Sequence, residues 1–309
     1  MRAACLSPPR KDVMLVRLAP ILFPLLWSTG WIVARYSADF ADPLLFLALR
    51  YLLAGLMLAA FAVLARAPWP RTRREWRHAL ISGVLLHTLY LGGVWWAIMH
   101  GLPASLSALI AALQPILTAL VAPALVGERI GGRRWLGVLV GFAGIALVLA
   151  PQLAALNSAQ IGVALAPIAV NVVAMLSVTA GSFYQKRFLH SGDLRTIAVL
   201  QYLGAFVVGA PLAVAFGDLH LVWSWKAVAV MAWSVLGLSI GAVALLLALL
   251  RRGDVSRASQ LIFLVPPLSA LQAFLLFGDH LSSIQIVGMG VTACGVAVAV
   301  AVMPERARR

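Results

Sequence analysis

The sequence predicts an all-α integral membrane protein in which ten transmembrane helices form two inverted five-helix repeats. Three observations carry this expectation. Of the 309 residues, 62% are hydrophobic and 11% charged, with a mean hydropathy of +0.97, whereas soluble domains are roughly half apolar and a quarter charged. Apolar runs of about 20 residues, enough to cross roughly 30 Å of hydrocarbon, recur along the whole chain. A single shift of 151 residues also aligns more than one helix pair of the two halves without gaps, carrying Pro115 onto Pro266 and Gly127 onto Gly278.

Residues 1–15 read as a cytoplasmic tail. The first span, 16–36, follows Arg10, Lys11 and Arg17 and so resembles a signal peptide. Its apolar run is too long and lacks a small-residue cleavage site, so it is expected to stay as a helix. The second span, 43–65, contains Arg50, and the third, 79–99, contains His87 and ends in Trp95 and Trp96. These two tryptophans are expected in the interfacial aromatic belt. Gln114-Pro115 interrupts the fourth span, 104–125, and the fifth, 133–150, carries Gly137, Gly141 and Gly144 at a spacing that suits close helix approach. Residues 16–150 thus form the first repeat. The second, 160–303, follows the same order in spans 160–184, 195–216, 223–249, 256–277 and 283–303, with Pro266-Pro267 interrupting the ninth, and 304–309 form a second tail.

The net charge of +14 would suggest nucleic acid in a soluble protein, but here it sorts by loop. Arg66, Arg71, Arg73, Arg74 and Arg77 share one side with Arg129, Arg133 and Arg134, with Lys186, Arg187 and Arg195, with Arg251, Arg252 and Arg257, and with both tails. The other side holds Arg35 and Lys226 alongside Asp39, Asp42, Asp218 and Asp279. By the positive-inside rule both termini are cytoplasmic, the protein sits in the cytoplasmic (inner) membrane, and no nucleic-acid partner is expected.

Because five is an odd number of crossings, the second repeat enters the bilayer from the opposite side. GERIGGRRWLGVLVGFAG at 127–144 returns as GDHLSSIQIVGMGVTACG at 278–295, with the glycines kept and Arg129, Arg133 and Arg134 replaced by His280, Ser282 and Ser283. A cytoplasmic loop keeps its charge and its external mate loses it. Conversely, HGLP at 100–103 matches the basic RRGD at 251–254, and RYLLA at 50–54 matches QYLGA at 201–205. Inverted repeats place a small-molecule solute near the bilayer midplane between the halves of a secondary transporter.

The fourth and ninth spans close in P-x11-G-[ED], Pro115 to Gly127-Glu128 and Pro266 to Gly278-Asp279, and each is followed by a G-x6-G helix, Gly137 to Gly144 and Gly288 to Gly295. With DPLLFLALRYLLAG at 42–55, these motifs resemble the drug/metabolite transporter superfamily, EamA type, over nearly the whole chain. The resemblance implies ten helices in 5+5 inverted order and movement of a small organic solute, commonly export of amino acids or related metabolites.

Several residues are candidates for contact with that solute. Arg50 lies about seven residues inside the second span, where an Arg is expensive. It pairs a substrate carboxylate through its guanidinium fork, snorkels to the interface or binds helix-end carbonyls. Gln201 occupies the equivalent place in the second repeat. His87 is the deep side chain whose ordinary titration lies near neutral pH, a candidate for proton coupling or a structural histidine, and it shares a helical face with Gly83, Tyr90 and Val94. Gln114 beside Pro115, and Pro266-Pro267 at matching depth, mark helix breaks that are tolerated only when buried in protein or lining a wet cavity. Trp27 and Trp31, one turn apart, suit the wall of a cavity for an apolar or aromatic group, and Tyr184 and Gln260 are further candidates.

Cys5 and Cys294 offer no disulfide pair and no metal cluster, and neither a metal nor a cofactor is expected. The ten acidic residues never cluster, Asp39 and Asp42 being the nearest pair, which argues against a membrane-embedded metal-dependent enzyme. A flippase for lipid or polyprenol phosphate is the nearer alternative, since a cavity holding Arg50 also suits a phosphate. Partners are the solute and the bilayer, and a homodimer stays open.

Overall fold

A computed structural model of the chain describes residues 10–102, 107, 110–111, 113–126, 131–154, 165–190, 192–242, 244–245, 261–278 and 281–300. Among them the regular elements are all helical: α1 (Arg10–Ser37), α2 (Pro43–Leu64), α3 (Arg73–Met99), α4 (Gln114–Val126), α5 (Gly132–Ala154), α6 (Leu165–Phe188), α7 (Leu194–Phe216), α8 (Trp225–Ala242), α9 (Val265–Phe277) and α10 (Ser283–Val300). Seven are long and apolar enough to cross a membrane: Leu18–Ser37, Pro43–Leu64, Arg73–Met99, Gly132–Pro151, Leu165–Phe188, Leu194–Phe216 and Trp225–Ala242. Among the described residues seven of the ten expected spans meet this length, since α4 is described over 13 residues and the last two apolar helices, Leu261–Phe277 and Ser283–Ala299, are shorter. Large apolar side chains face outward, Leu64 at 84%, Leu275 at 69% and Val214 at 68% exposure. Patches of this kind are avoided on soluble monomers and are ordinary where lipid is the solvent.

Helix starts are set by local chemistry. Asp42 caps α2, its Oδ1 accepting Leu45 N–H at 2.8 Å with Pro43 in the first turn. Asp193, which the 151-residue shift pairs with Asp42, caps α7, its Oδ1 accepting Arg195 N–H at 2.9 Å. Thr72 and Glu75 form a reciprocal capping box at the start of α3. Both α3 and α8 widen into π-helical turns, over Val84–Gly92 and Ser234–Ala242, at corresponding places in the two halves. Such widened turns gather at functional sites.

The helices meet through glycine notches. A Cβ on Gly137 would fall 2.5 Å from Ala299 N, and one on Gly144 would strike the Thr292 backbone. A Cβ on Gly288 would fall 2.7 Å from Val148 N, and one on Gly295 would strike Gly141. Raising one residue number by 151 and lowering its partner's by 151 turns the first pair into the third and the second into the fourth. The α5–α10 contact is therefore antiparallel and self-mated. In the other half of the core α2 packs on α7, where Gly55 approaches Tyr202 and Gly209 approaches Tyr51 at Cβ distances of 3.4 Å and 3.3 Å.

At one end of the bundle the α1–α2 and α7–α8 loops are joined. Ala41 and Leu221 form an isolated antiparallel bridge, Asp42 N donates to His220 O and Val222 N to Phe40 O, each at 2.7 Å, and Lys226 pairs with Asp39 at 2.7 Å. Asp42 Oδ2 is buried without a donor beside the Asp218 carboxyl, a contact that becomes a hydrogen bond only when one of the two carries a proton. Burial holds Asp42 above the usual carboxylate range, and the Asp218 charge adds to this. Exposed Asp218 is held below its usual value by the hydrogen bond from Asp42.

A carboxyl whose folded pKa is raised stabilises the fold below its unfolded value, near pH 4, and that contribution is lost as pH rises through the folded value. Asp42→Asn keeps an equivalent helix cap and supplies a permanent donor to Asp218. Its melting temperature is expected to exceed that of the wild type at pH 8, with a flatter profile between pH 4.5 and 8. An unchanged profile in a pH series of melts would contradict the shared proton.

Candidate functional site

Arg50 stands on the third turn of α2 and is only 6% exposed. Its Nε donates to Ser239 Oγ on α8 at 2.8 Å, and among the described residues it has no carboxylate partner. The side chain points into the bundle rather than snorkelling to the interface, which corrects that alternative. The two π-helical turns build the floor beneath it. Each receives a tyrosine hydroxyl, Tyr51 donating to His87 O and Tyr202 to Ser239 O, both at 3.0 Å. The His87 ring stacks on Tyr202 with centroids 4.6 Å apart, and Tyr202 lies 6.3 Å from Tyr51.

Above this floor α1 and α3 supply the walls. Trp27, Trp31, His87, Tyr90 and Trp95 line one pocket with Arg50. Five sequence candidates thus converge: Arg50, His87, Tyr90, Trp27 and Trp31. Trp95 was expected in the interfacial belt; instead it is 8% exposed and stacked on Phe46 at 5.8 Å. The space between these side chains is about 70 Å3, well short of the roughly 300–1,000 Å3 of a ligand cleft. The walls must part before a metabolite fits. Chemically the pocket offers one guanidinium among aromatic faces, a site for an anion with an apolar body. Among the described residues no three of His, Cys, Asp and Glu gather as a metal site would require.

The EamA-like transporter family model matches residues 15–150 and again 162–301. The chain belongs to the EamA-like transporter family. It is 26% identical over 272 residues to the uncharacterised transporter YvbV of Bacillus subtilis, covering 86% of this chain and 85% of that one. It is 22% identical to a probable amino-acid metabolite efflux pump of Escherichia coli K12, covering 90% and 91% of the two chains. A solved crystal structure superposes with a TM-score of 0.73 at 22% identity over 92% of this chain and 96% of that one, which shows a shared fold. The protein is therefore a membrane transporter of this family.

The remaining candidates lie elsewhere in the transporter. Gln201 is buried but turned away, its Nε2 donating to Ser82 Oγ at 2.9 Å and to Gln185 Oε1 at 3.1 Å. Its place is the mate of Arg50's, since Arg50 on α2 binds α8 while Gln201 on α7 binds α3, and it does not line the Arg50 pocket. Gly83 also turns from the pocket to face the Gln201 backbone. Tyr184 sits at the arginine-rich end of the bundle, its hydroxyl 2.6 Å from His78 Nδ1, so it is corrected from a pocket residue to a partner of His78. Gln114 is buried at the first residue of α4, and Pro115 follows it. Pro266 and Pro267 occupy the first turn of α9, directly after a 3-10 turn at Leu261–Leu264. Each proline sits where a helix begins and its missing N–H costs least. Gln260 lies outside the described residues. A second cavity of about 290 Å3, lined by Leu44, Leu47 and Phe216 among others, touches the far side of Tyr51. Its hydroxyls, on Tyr51 and Thr88, already donate to His87 O and Ala205 O, and the remaining polar side chain of its lining is the Trp96 indole.

Proposed function

We propose that this transporter exports a small organic metabolite, an amino acid or related solute bearing a carboxylate, across the cytoplasmic membrane by alternating access. Ten spans in two inverted repeats, with both ends cytoplasmic, are the frame for it. The self-mated α5–α10 contact supports this arrangement, as do the paired caps Asp42 and Asp193 and the two π-helical turns. The observation that carries the reading is a buried Arg50 in an aromatic pocket, without a carboxylate partner among the described residues. A buried, unpaired charge is costly, and a bound anion removes the cost. The halves also differ in what these two positions meet: Arg50 lines a pocket while Gln201 is tied to Ser82 and Gln185, as expected of one state in a cycle that exchanges the conformations of the halves.

The test is the melting temperature of the detergent-purified protein against amino acids, their analogues, organic cations, nucleotide sugars and polyprenyl phosphates. A ligand at 100 times its Kd adds about 2.7 kcal/mol to the native state. A shift with carboxylates that disappears in Arg50→Gln is the expected result. A shift with polyprenyl phosphates alone would replace this reading with a flippase.

A further inference from the structure

We infer that the Arg50 pocket takes an apolar or aromatic carboxylate that lacks an ammonium group, and that its export is an electrogenic uniport driven by membrane potential. This rests on the carrier reading above and narrows it. The inference starts from a charge inventory. The acidic residues are Asp12, Asp39, Asp42, Glu75, Glu128, Asp193, Asp218, Asp254, Asp279 and Glu305. Of these only Glu75 falls inside a described span, in the first turn of α3, where it is tied into the capping box with Thr72. No carboxylate stands at the depth of Arg50 in any described span.

A zwitterionic amino acid brings two charges to that depth. Its carboxylate finds the Arg50 fork, but its ammonium finds no counter-ion. Aromatic faces attract cations, yet Trp27, Trp31 and Tyr90 share their pocket with Arg50, whose charge opposes a second cation there. The ammonium therefore gives up its water without recompense. A carboxylate with no ammonium neutralises Arg50 and leaves its apolar body to the tryptophans. The selectivity follows from what the pocket lacks.

The same inventory bears on energy coupling. A proton-coupled carrier needs a group that is charged in one step and neutral in another, and the deep titratable candidate is His87. Its ring is stacked on Tyr202 and its Nε2 is buried without a partner. A proton there would add a second positive charge to a pocket that already holds Arg50, with no carboxylate between them. An anionic cargo makes such a device unnecessary. Leaving a cell that is negative inside, a monoanion moves down the electrical gradient, equivalent to about a 50-fold concentration ratio per 100 mV.

The matched probes are phenylpyruvate and phenylalanine, which differ in an oxo group against an ammonium. With the full-length protein in proteoliposomes and a valinomycin-clamped potassium gradient, labelled phenylpyruvate is expected to accumulate on the positive side. The ratio should rise about 50-fold per 100 mV and should ignore a pH gradient at zero potential. Melting shifts should give phenylpyruvate a Kd at least tenfold below that of phenylalanine, and Arg50→Lys, which keeps the charge but loses the fork, should weaken binding while folding normally. Equal or better handling of phenylalanine, or accumulation driven by the pH gradient alone, overturns the inference and leaves the carrier reading standing. If neither compound shifts the melt or moves while another carboxylate does so through Arg50, the inference falls and the carrier reading stands.

Discussion

Arg50→Gln is expected to raise the Kd for phenylpyruvate by about 10- to 100-fold while leaving the empty protein's melting temperature unchanged or higher. The first half follows from losing a charge-assisted hydrogen-bonded pair, worth about 1.5–3 kcal/mol. The second follows from burial. Arg50 is 6% exposed, bound to the neutral Ser239 hydroxyl and without a carboxylate among the described residues, so the empty protein carries a charge whose removal relieves it. A residue that merely held α2 to α8 would behave oppositely, with a lower melt and unchanged affinity for whatever bound. Isothermal titration and a thermal melt on one preparation separate the two.

Gly83→Ala is expected to prevent accumulation of folded protein. A Cβ at this position would land on the Gln201 carbonyl oxygen and 2.5 Å from its carbon and Cα. These are backbone atoms of α7, so no side-chain rotation makes room, and α3 would have to move away from α7. Overpacking of that kind costs ~3 kcal/mol or more, a large part of a typical 5–15 kcal/mol total. Gly92→Ala is the control, because nothing lies within 4 Å of the Cβ it would add. Size-exclusion profiles of the two variants should differ sharply, monodisperse for Gly92→Ala and lost for Gly83→Ala. Similar profiles would contradict the close α3–α7 approach.

The broad architecture was legible because the bilayer imposes it. Spans follow from the length of apolar runs, and the repeat follows from glycines and prolines that no other residue replaces at close approach. The pocket was legible in part. Arg50 and His87 stand out as polar side chains at depth, and Trp27 and Trp31 share one face of α1. Tyr51, Tyr202 and Ser239 were missed, although Tyr51 and Tyr202 sit inside the matched RYLLA and QYLGA segments. The signal was present in the repeat itself, in the tyrosine that follows each matched polar residue, Arg50 and Gln201.

Local backbone geometry hid the rest. The π-helical turn at Val84–Gly92 changes which residues share a face, so Gly83 turns to α7 while His87 and Tyr90 line the pocket. Trp95 and Trp96 read as one interfacial pair, yet adjacent helical positions point apart, and Trp95 faces inward onto Phe46. Tyr184 carries no local signal of its place, since its partner His78 is 106 residues away in sequence. Gln201 shows the limit of repeat symmetry, since it bonds Ser82 and Gln185 while Arg50 lines a pocket.

Whether the Arg50 pocket is alternately exposed is tested most directly by Trp31→Cys in a chain whose Cys5 and Cys294 are replaced by serine. A membrane-impermeant thiol reagent is applied in turn to each face of sealed vesicles. Labelling from both faces, slowed in each case by phenylpyruvate, is the expected result. Labelling from one face only, indifferent to the solute, would contradict a transport site at this pocket.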